Sequence, residues 1–314
     1  MGGSGGGGGG YFYGAPEPQK LVRSIRTAEQ EAADQEFSSY VSTFLADALA
    51  QFNARDTEGT QKLLERIKAE LSDEFETTVG LVFGGSVAKH TYVDGLSDVD
   101  ALIILRPEAI EDDSPAKLVH MCAEKLRARF GRDPERVKEG VLAVTLRIEG
   151  KEIQLLPAMR TATGFKIAKA NGRDWASINP QKFAQKLTSA NQALDGKLVP
   201  LIKLAKSVNS TLPEQRQLSG YHLESLAIGV FRDYTGPRTT KTMLRYFFEN
   251  AGEHCKTPIR DSTGQSVHVD EYLGETNSVQ RLVVADALSR VGRRLANADG
   301  ARSLQEWRSI LGVE

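Results

Sequence analysis

Two aspartates separated by one residue stand directly before an apolar run. Asp98 and Asp100 flank Val99, and residues 101–105 that follow are all apolar. Alternation along a strand puts the two carboxylates on one face and Val99 on the other. Like charges held at the edge of an apolar strand repel each other, and a divalent cation relieves that repulsion. The pair therefore predicts a Mg²⁺ site, with Mn²⁺ as an alternative ion.

A glycine-serine turn precedes these aspartates. The apolar and β-branched residues 77–83 predict a buried strand that ends on Gly84, Gly85 and Ser86, where a helical pattern begins. Small residues there let backbone N–H groups approach a triphosphate, and the Ser86 hydroxyl can donate to a terminal phosphate. Turn and aspartates together predict metal-assisted nucleotidyl transfer. The alternative is an N-capping serine followed by a solvated acidic turn.

Helices are predicted on both sides of these motifs. Residues 16–71 carry apolar side chains at helical spacing, with a break at residues 56–59. The predicted core face of the first helix consists of Phe37, Tyr40, Val41, Phe44, Leu45, Ala48, Leu49 and Phe52. The apolar periodicity of residues 183–212 and 279–295 predicts a second, mainly helical part.

An α/β (α+β) architecture in three parts follows from this order of elements. We expect a flexible glycine-rich arm over residues 1–15 and a catalytic core with N-terminal helices and a small mixed sheet over residues 16–165. A helical lobe is expected over residues 166–314, with the nucleotide in the cleft between core and lobe, because ligand sites favour domain junctions.

Composition narrows the class of protein. The chain has 314 residues, of which 40% are hydrophobic and 26% charged, which is typical of a globular protein. Lysine and arginine total 40 against 41 acidic residues, so phosphate recognition must be local. Two cysteines, Cys122 and Cys255, are too few for a disulfide framework. With no apolar stretch long enough to span a bilayer, we expect a cytoplasmic protein without a membrane partner.

The motifs resemble a known family. Gly84-Gly85-Ser86, Thr91-Tyr92 and residues 95–100 with the strand after them resemble the signature of the nucleotidyltransferase superfamily with the DNA polymerase β-like fold. The closer resemblance is to the bacterial CD-NTases, relatives of animal cyclic GMP-AMP synthases and oligoadenylate synthetases that act in antiphage signalling. It continues through residues 201–206, 221–224 and 258–264 and through the final alanine-rich helix and Trp307.

The resemblance also implies roles for two residues of the helical lobe. Lys206 would contact the triphosphate and Tyr221 would stack on the nucleotide base. Judged without the resemblance, Lys203 and Lys206 suit a solvated rim, and Tyr221 suits a core position with its hydroxyl satisfied. His222, His254 and His268 have no ligand spacing, so no metal is assigned to histidine.

A basic cluster later in the chain has two interpretations. It consists of Arg232, Arg238, Lys241 and Arg245. It could line a groove for a nucleic-acid strand or for the growing product, or it could be an ordinary solvated face.

One position departs from the family pattern. The resemblance implies a third carboxylate three residues before a Pro-Ala pair, and Gln154 stands there, before Pro157. Glu152 lies two residues earlier on the same strand face, about 6.8 Å away, and is one candidate replacement. The alternatives are a site with only Asp98 and Asp100 as protein carboxylates, or impaired chemistry.

The function implied by the resemblance is template-independent, Mg²⁺-dependent synthesis of a short oligonucleotide from nucleoside triphosphates. A cyclic product would activate a separately encoded effector in antiphage defence. A linear, DNA-type oligomer primed on a protein hydroxyl, as in Hailong-type members, stays open because the third acid is altered. Single-nucleotide transfer onto a partner protein and a catalytically dead binding module are further alternatives.

Overall fold

The computed structural model describes residues 18–53, 57–74, 81–83, 99–105, 114–133, 135–169, 172–260 and 270–313. The chain divides into two compact units, Met1–Tyr40 and Val41–Glu314, and this division falls inside the first helix. The predicted boundary between residues 165 and 166 stays a prediction.

Two helices open the described chain, α1 over Pro18–Asn53 and α2 over Thr57–Glu74. They confirm the helical prediction for this region. Val41 and Leu45 of α1 are fully buried, as expected. The prediction that Tyr40 belongs to the core is wrong, because Tyr40 is 58% exposed and its hydroxyl lies 3.1 Å from Oε1 of Glu36. A phenol at the border of an apolar face can keep its polar end in water.

The strands that the structure describes form one mixed sheet. They are β1 Leu81–Phe83, β2 Val99–Leu105, β3 Val137–Glu139, β4 Val144–Ile148, β5 Lys151–Thr161, β6 Gly164–Ala168 and β7 Trp175–Ile178. The order is β1-β2-β5-β4-β3, with β6 paired to β5 and β7 to β6. Strands β2 and β5 are parallel, and the other pairs are antiparallel. This confirms the predicted mixed sheet.

A two-residue turn fixes the register between β4 and β5. Glu149 and Gly150 both have positive φ, 52° and 72°, which is the conformation of the two-residue hairpin turns that match the natural twist of a strand pair. The turn sets Arg147 opposite Glu152 and Thr145 opposite Gln154. It therefore determines which side chains of β4 stand beside the polar beginning of β5.

One face of the sheet carries a continuous apolar core. Helix α3, Pro115–Phe130, begins with Ser114 as N-cap and Pro115 in its first turn. Its buried side chains pack in one cluster with Leu64 and Ile67 of α2 and with Ile103 of β2 and Leu155 of β5. A smaller cluster contains Leu102, Ile104, Ala158 and Phe165, which alternate with the first set along the strands. The strands between these clusters are thereby held in one register.

Helices make up most of the chain after β7. They are α4 Pro180–Ala193, α5 Leu198–Ser210, α6 Gly220–Val230, α7 Thr240–Cys255, α8 Val279–Gly300 and α9 Leu304–Leu311. Glycines allow α7 and α8 to pack closely. A Cβ on Gly252 would lie 2.7 Å from the Ala285 carbonyl oxygen, and one on Gly292 would lie 2.9 Å from the Phe248 carbonyl. Within the described residues, none of the helices has the length and apolar character needed to cross a membrane.

Candidate active site

The candidate site is centred on the neighbouring strands β2 and β5. Their parallel register sets Asp100 opposite Gln154, and Thr145 of β4 lies opposite Gln154 on its other side. Positions 145, 154 and 100 therefore form one row across three strands. The predicted position of the missing acid is thus directly beside one of the two predicted metal ligands.

Glu152, the proposed substitute for that acid, is held by an arginine. Nε of Arg147 donates to Oε2 of Glu152 over 2.7 Å, and Nη1 of the same guanidinium lies 3.4 Å from Oε2 of Glu135. Glu152 is 37% exposed, and an exposed ion pair of this kind contributes roughly 0–1 kcal/mol. Glu152 is therefore already paired with a cation, although weakly.

The other predicted members of this part of the site cannot be placed. Gly85, Ser86 and Asp98 lie outside the described residues, and Asp100 is described through its backbone alone. Among the side chains that are described, no three histidine, cysteine, aspartate or glutamate residues could together hold a metal ion. The assignment of Mg²⁺ to Asp98 and Asp100 thus stays a prediction.

Lys206 occupies a buried position on α5. Its Nζ donates to Oε1 of Glu224 on α6 over 2.9 Å, and the two side chains are only 6% and 1% exposed. Lys203, one turn earlier, is also buried and donates to Oδ1 of Asn53. The alternative that these lysines form a solvated rim is therefore wrong.

Tyr221 lies in the first turn of α6, whose N-cap is Ser219. Its ring is half-buried, and its centroid lies 4.5 Å from the centroid of Phe183 on α4, at an interplanar angle of 52°. A Cβ on the adjacent Gly220 would lie 3.5 Å from Nζ of Lys206. The structure thus brings Lys206 close to the beginning of the Tyr221 helix, and the nucleotide-binding roles of both residues stay predictions.

A buried polar cluster that the sequence analysis did not identify supports the next residue of α6. Nδ1 of His222 lies 2.8 Å from the Tyr272 hydroxyl, and Nε2 lies 3.6 Å from Oδ2 of Asp270. The buried Arg281 donates to that same carboxylate oxygen over 2.6 Å. Burial is the main cause that lowers the pKa of His222 to about 4, and the Arg281 charge adds to it against the opposing Asp270 charge. His222 is therefore a neutral, structural histidine.

This cluster had only a weak signal in the sequence. Asp270, Tyr272 and Arg281 are 48 to 59 residues from His222, and ordinary loop and helix patterns surround them. Burial also raises the pKa of the nearby Cys255 thiol to about 12, so the thiol stays protonated. The cluster thus connects α6 to Asp270 and to α8 through buried polar contacts.

The predicted basic cluster is largely neutralised. Arg238 pairs with Asp195 over 2.6 Å, Lys241 with Asp299 over 3.1 Å, and Arg245 with Glu249 over 2.6 Å. These pairs are with acids on α7 itself or on neighbouring elements. Arg238 and Arg245, both 43% exposed, fit the solvated-face interpretation, whereas Lys241 is only 14% exposed.

Solved structures share this fold. E. coli MS115-1 CdnC with ATP is 16% identical and matches with a TM-score of 0.60 over 81% of this chain and 90% of that chain. E. coli DncV in its 3'-deoxy GTP bound form is 12% identical, with a TM-score of 0.60 over 93% and 90% of the two chains. The Bradyrhizobium diazoefficiens CD-NTase CdnG in complex with GTP is 16% identical, with a TM-score of 0.57 over 84% and 90%.

A family model identifies the chain more directly. No curated protein sequence matches it. Residues 36–191, which contain α2 and the whole described sheet, match the model of the Second Messenger Oligonucleotide or Dinucleotide Synthetase domain. This match and the shared fold agree with the polymerase β-like nucleotidyltransferase architecture expected from the sequence. The chain is a nucleotidyltransferase and belongs to the bacterial CD-NTase family of second messenger oligonucleotide or dinucleotide synthetases.

Proposed function

We propose that this nucleotidyltransferase joins nucleoside triphosphates into a short oligonucleotide, without a template and with Mg²⁺ at Asp98 and Asp100. The main support is the position of Asp100 on β2, beside Gln154 of β5 within a family-matched domain. Aspartate oxygens suit Mg²⁺, which would neutralise charge on the triphosphate and activate the acceptor hydroxyl. The acceptor oxygen forms a bond to the α-phosphorus, the bond to pyrophosphate breaks, and the hydroxyl proton passes to water.

The proposed nucleotide contacts come from three elements. Backbone N–H groups at Gly85 and the Ser86 hydroxyl would bind the triphosphate, and Tyr221 would stack on the base. Lys206 would add a positive charge to the triphosphate. Its ammonium has three donors, so one can remain on Glu224 while another reaches a phosphate oxygen.

We propose that two protein carboxylates suffice for this site. Glu152 is paired with Arg147, and Gln154 fills the position beside Asp100 that an acid would occupy. A neutral amide cannot accept the proton of the acceptor hydroxyl at neutral pH. Solvent then takes the proton from the acceptor hydroxyl, and the protein specifies less tightly which hydroxyl acts as the acceptor.

A linear product is the second candidate, and Gln154 beside Asp100 is the observation that favours it. Without the third acid, the protein controls less tightly which hydroxyl acts as the acceptor. A cyclic product requires that control in its ring-closing step. A DNA-type oligomer primed on a protein hydroxyl, as in Hailong-type members, would satisfy the same site. In either case we propose that the product acts as a signal to a separately encoded effector in antiphage defence.

One experiment separates these products. The full chain is incubated with Mg²⁺ and each labelled ribo- and deoxynucleoside triphosphate, and both small products and the protein are weighed by mass spectrometry. A cyclic or linear small oligonucleotide supports the proposal and selects its form. Mass added to the protein in repeated nucleotide steps supports priming on a protein hydroxyl. Absence of any nucleotide transfer with every triphosphate would contradict the proposed function.

A further inference from the structure

The first turn of α6 carries Tyr221 and is weakly determined by its own sequence. Tyr221 is the second residue of α6, which begins at Gly220 after the N-cap Ser219. The Ser219 hydroxyl accepts from the backbone N–H of His222 over 3.3 Å, which satisfies one of the four N–H groups that a helix start leaves unpaired. Glycine is, after proline, the least favourable residue in a helix. Contacts from outside α6 are therefore needed to fix the position of Tyr221.

A tyrosine from a distant turn contacts the residues on both sides of Tyr221. The Tyr272 hydroxyl lies 2.8 Å from Nδ1 of His222, the residue that follows Tyr221. Burial raises the pKa of Tyr272 to about 12, and hydrogen bonds from the backbone and the hydroxyl of Ser219 oppose that rise. One phenol group thus connects the N-cap of α6 to the third residue of the helix.

The directions of these hydrogen bonds follow from the donors that are available. Because Ser219 favours the charged form of the phenol, it donates to the phenolic oxygen, and the Tyr272 proton is directed to Nδ1 of His222. In a neutral imidazole whose Nδ1 accepts, Nε2 carries the proton, and here Nε2 lies 3.6 Å from Oδ2 of Asp270. Phenylalanine at position 272 would remove the central link of this chain of contacts.

The turn that carries Tyr272 has contacts of its own with other elements. Asp270, two residues before Tyr272, accepts from the buried Arg281 of α8 over 2.6 Å. Glu271 accepts from Nζ of Lys169, the residue directly after β6, over 3.3 Å. The turn is therefore fixed to α8 and to the sheet, and it can support α6 from outside.

We propose that Tyr272 is a positioning residue for the nucleotide base, because it fixes the helix turn from which Tyr221 would stack on that base. The inference rests on the proposed role of Tyr221 in nucleotide binding. The Tyr221 ring also packs on Phe183, with 4.5 Å between the ring centroids. A ring that is held in one orientation before the nucleotide arrives loses less conformational entropy on binding. Tyr272 thus acts through Tyr221 and not by contact with the nucleotide.

Binding of ligands with and without a base tests this role. The full chain and Tyr272→Phe are titrated with inorganic tripolyphosphate and with the α,β-methylene analogues of the ribo- and deoxynucleoside triphosphates, which cannot be transferred. Tyr272→Phe should weaken binding of the analogue that the wild type binds most tightly by about 3- to 10-fold, as expected for the loss of one hydrogen bond, and should leave tripolyphosphate affinity unchanged. The control Tyr234→Phe loses a hydroxyl that donates to the Pro237 carbonyl over 2.7 Å, beyond the other end of α6, and should bind both ligands as the wild type does.

A double variant shows whether Tyr272 acts through Tyr221. Tyr221→Ala should weaken binding of the nucleotide analogue, and adding Tyr272→Phe should cause no further loss, because the ring to be positioned is already absent. Three outcomes would overturn the positioning role and leave Tyr221 in the site: wild-type analogue affinity in Tyr272→Phe, an equal loss of tripolyphosphate affinity in that variant, and losses that multiply in the double variant. Wild-type analogue affinity in Tyr221→Ala would contradict the stacking role itself, and this inference with it.

Discussion

The buried ion pair between Lys206 and Glu224 gives the sharpest test of how the site is built. In Lys206→Met the Glu224 carboxylate, 1% exposed, loses the ammonium that lies 2.9 Å from it. Removing one partner of a buried pair typically costs about 3–5 kcal/mol, because a charge is left uncompensated. That is a large part of the roughly 5–15 kcal/mol by which a domain is stable. Glu224→Leu should cost a similar amount.

The double variant Lys206→Met/Glu224→Leu should recover most of this loss. Two apolar side chains of similar size can replace a buried pair with little change in stability or with a gain. Urea unfolding at pH 7 of the wild type, both single variants and the double variant gives the coupling free energy, which we expect to be about 3 kcal/mol or more. If the stability losses of the two single variants simply add in the double variant, Lys206 and Glu224 do not stabilise the protein as a pair.

Triphosphate binding then separates structure from function. Lys206→Met and the double variant should both lose affinity, by about 10- to 150-fold if one charge-assisted hydrogen bond worth 1.5–3 kcal/mol disappears. Lys203→Met is the matched control, because Lys203 is buried on the same helix and donates to Asn53. It should lose stability but keep affinity. Wild-type affinity in the stable double variant would exclude Lys206 from the site.

Three further predictions concern single positions. Burial holds the pKa of His222 at about 4 in place of 6.5, so the unfolded chain binds a proton at higher pH than the folded protein does. The free energy of unfolding should therefore fall by up to about 3 kcal/mol as the pH is lowered from 6.5 to 4. Urea unfolding should show a shallower fall for His222→Gln, and equal slopes would contradict this. Gly85→Val should abolish triphosphate binding, because a side chain would occupy the phosphate space; unchanged affinity in a folded variant would exclude the turn. Glu152→Gln should leave the rate of nucleotide transfer near wild type, since Arg147 already holds Glu152. Gln154→Asp should raise that rate or change the acceptor. A large loss for Glu152→Gln with an unchanged rate for Gln154→Asp would favour Glu152 as the third acid over a site with two carboxylates.

Local patterns predicted much of the fold. The apolar run after Asp100 became β2, and the helical periodicity around residues 201–206 became α5, because both patterns reflect burial of one element. The position of Gln154 beside Asp100 required the pairing of two strands about 50 residues apart. No local pattern contains that pairing, and the resemblance implied only that position 154 is where the family has a third carboxylate.

The buried environment of Lys206 could not be predicted from the sequence. Lys206 stands among apolar residues of a helix, and composition favours a solvated end for such a side chain. Its burial depends on Glu224, which comes 18 residues later on another helix. The His222 cluster was missed for the same reason, since Asp270 and Arg281 come 48 and 59 residues later and reach His222 only in the folded chain. Buried polar pairs between distant elements depend on tertiary contacts, which periodicity does not record.

Pyrophosphate release by aspartate variants is the measurement that tests the central claim most directly. We expect the rate of pyrophosphate release to fall by about 10²- to 10³-fold or more in Asp98→Ala and in Asp100→Ala, because each removes a carboxylate from the proposed metal site. Both should remain folded, since the loss of one of two repelling charges does not harm the metal-free protein. Glu149→Gln, an exposed acid at the β4–β5 turn, is the control and should keep the wild-type rate. A double variant Asp98→Ala/Asp100→Ala that releases pyrophosphate at the wild-type rate would contradict the account.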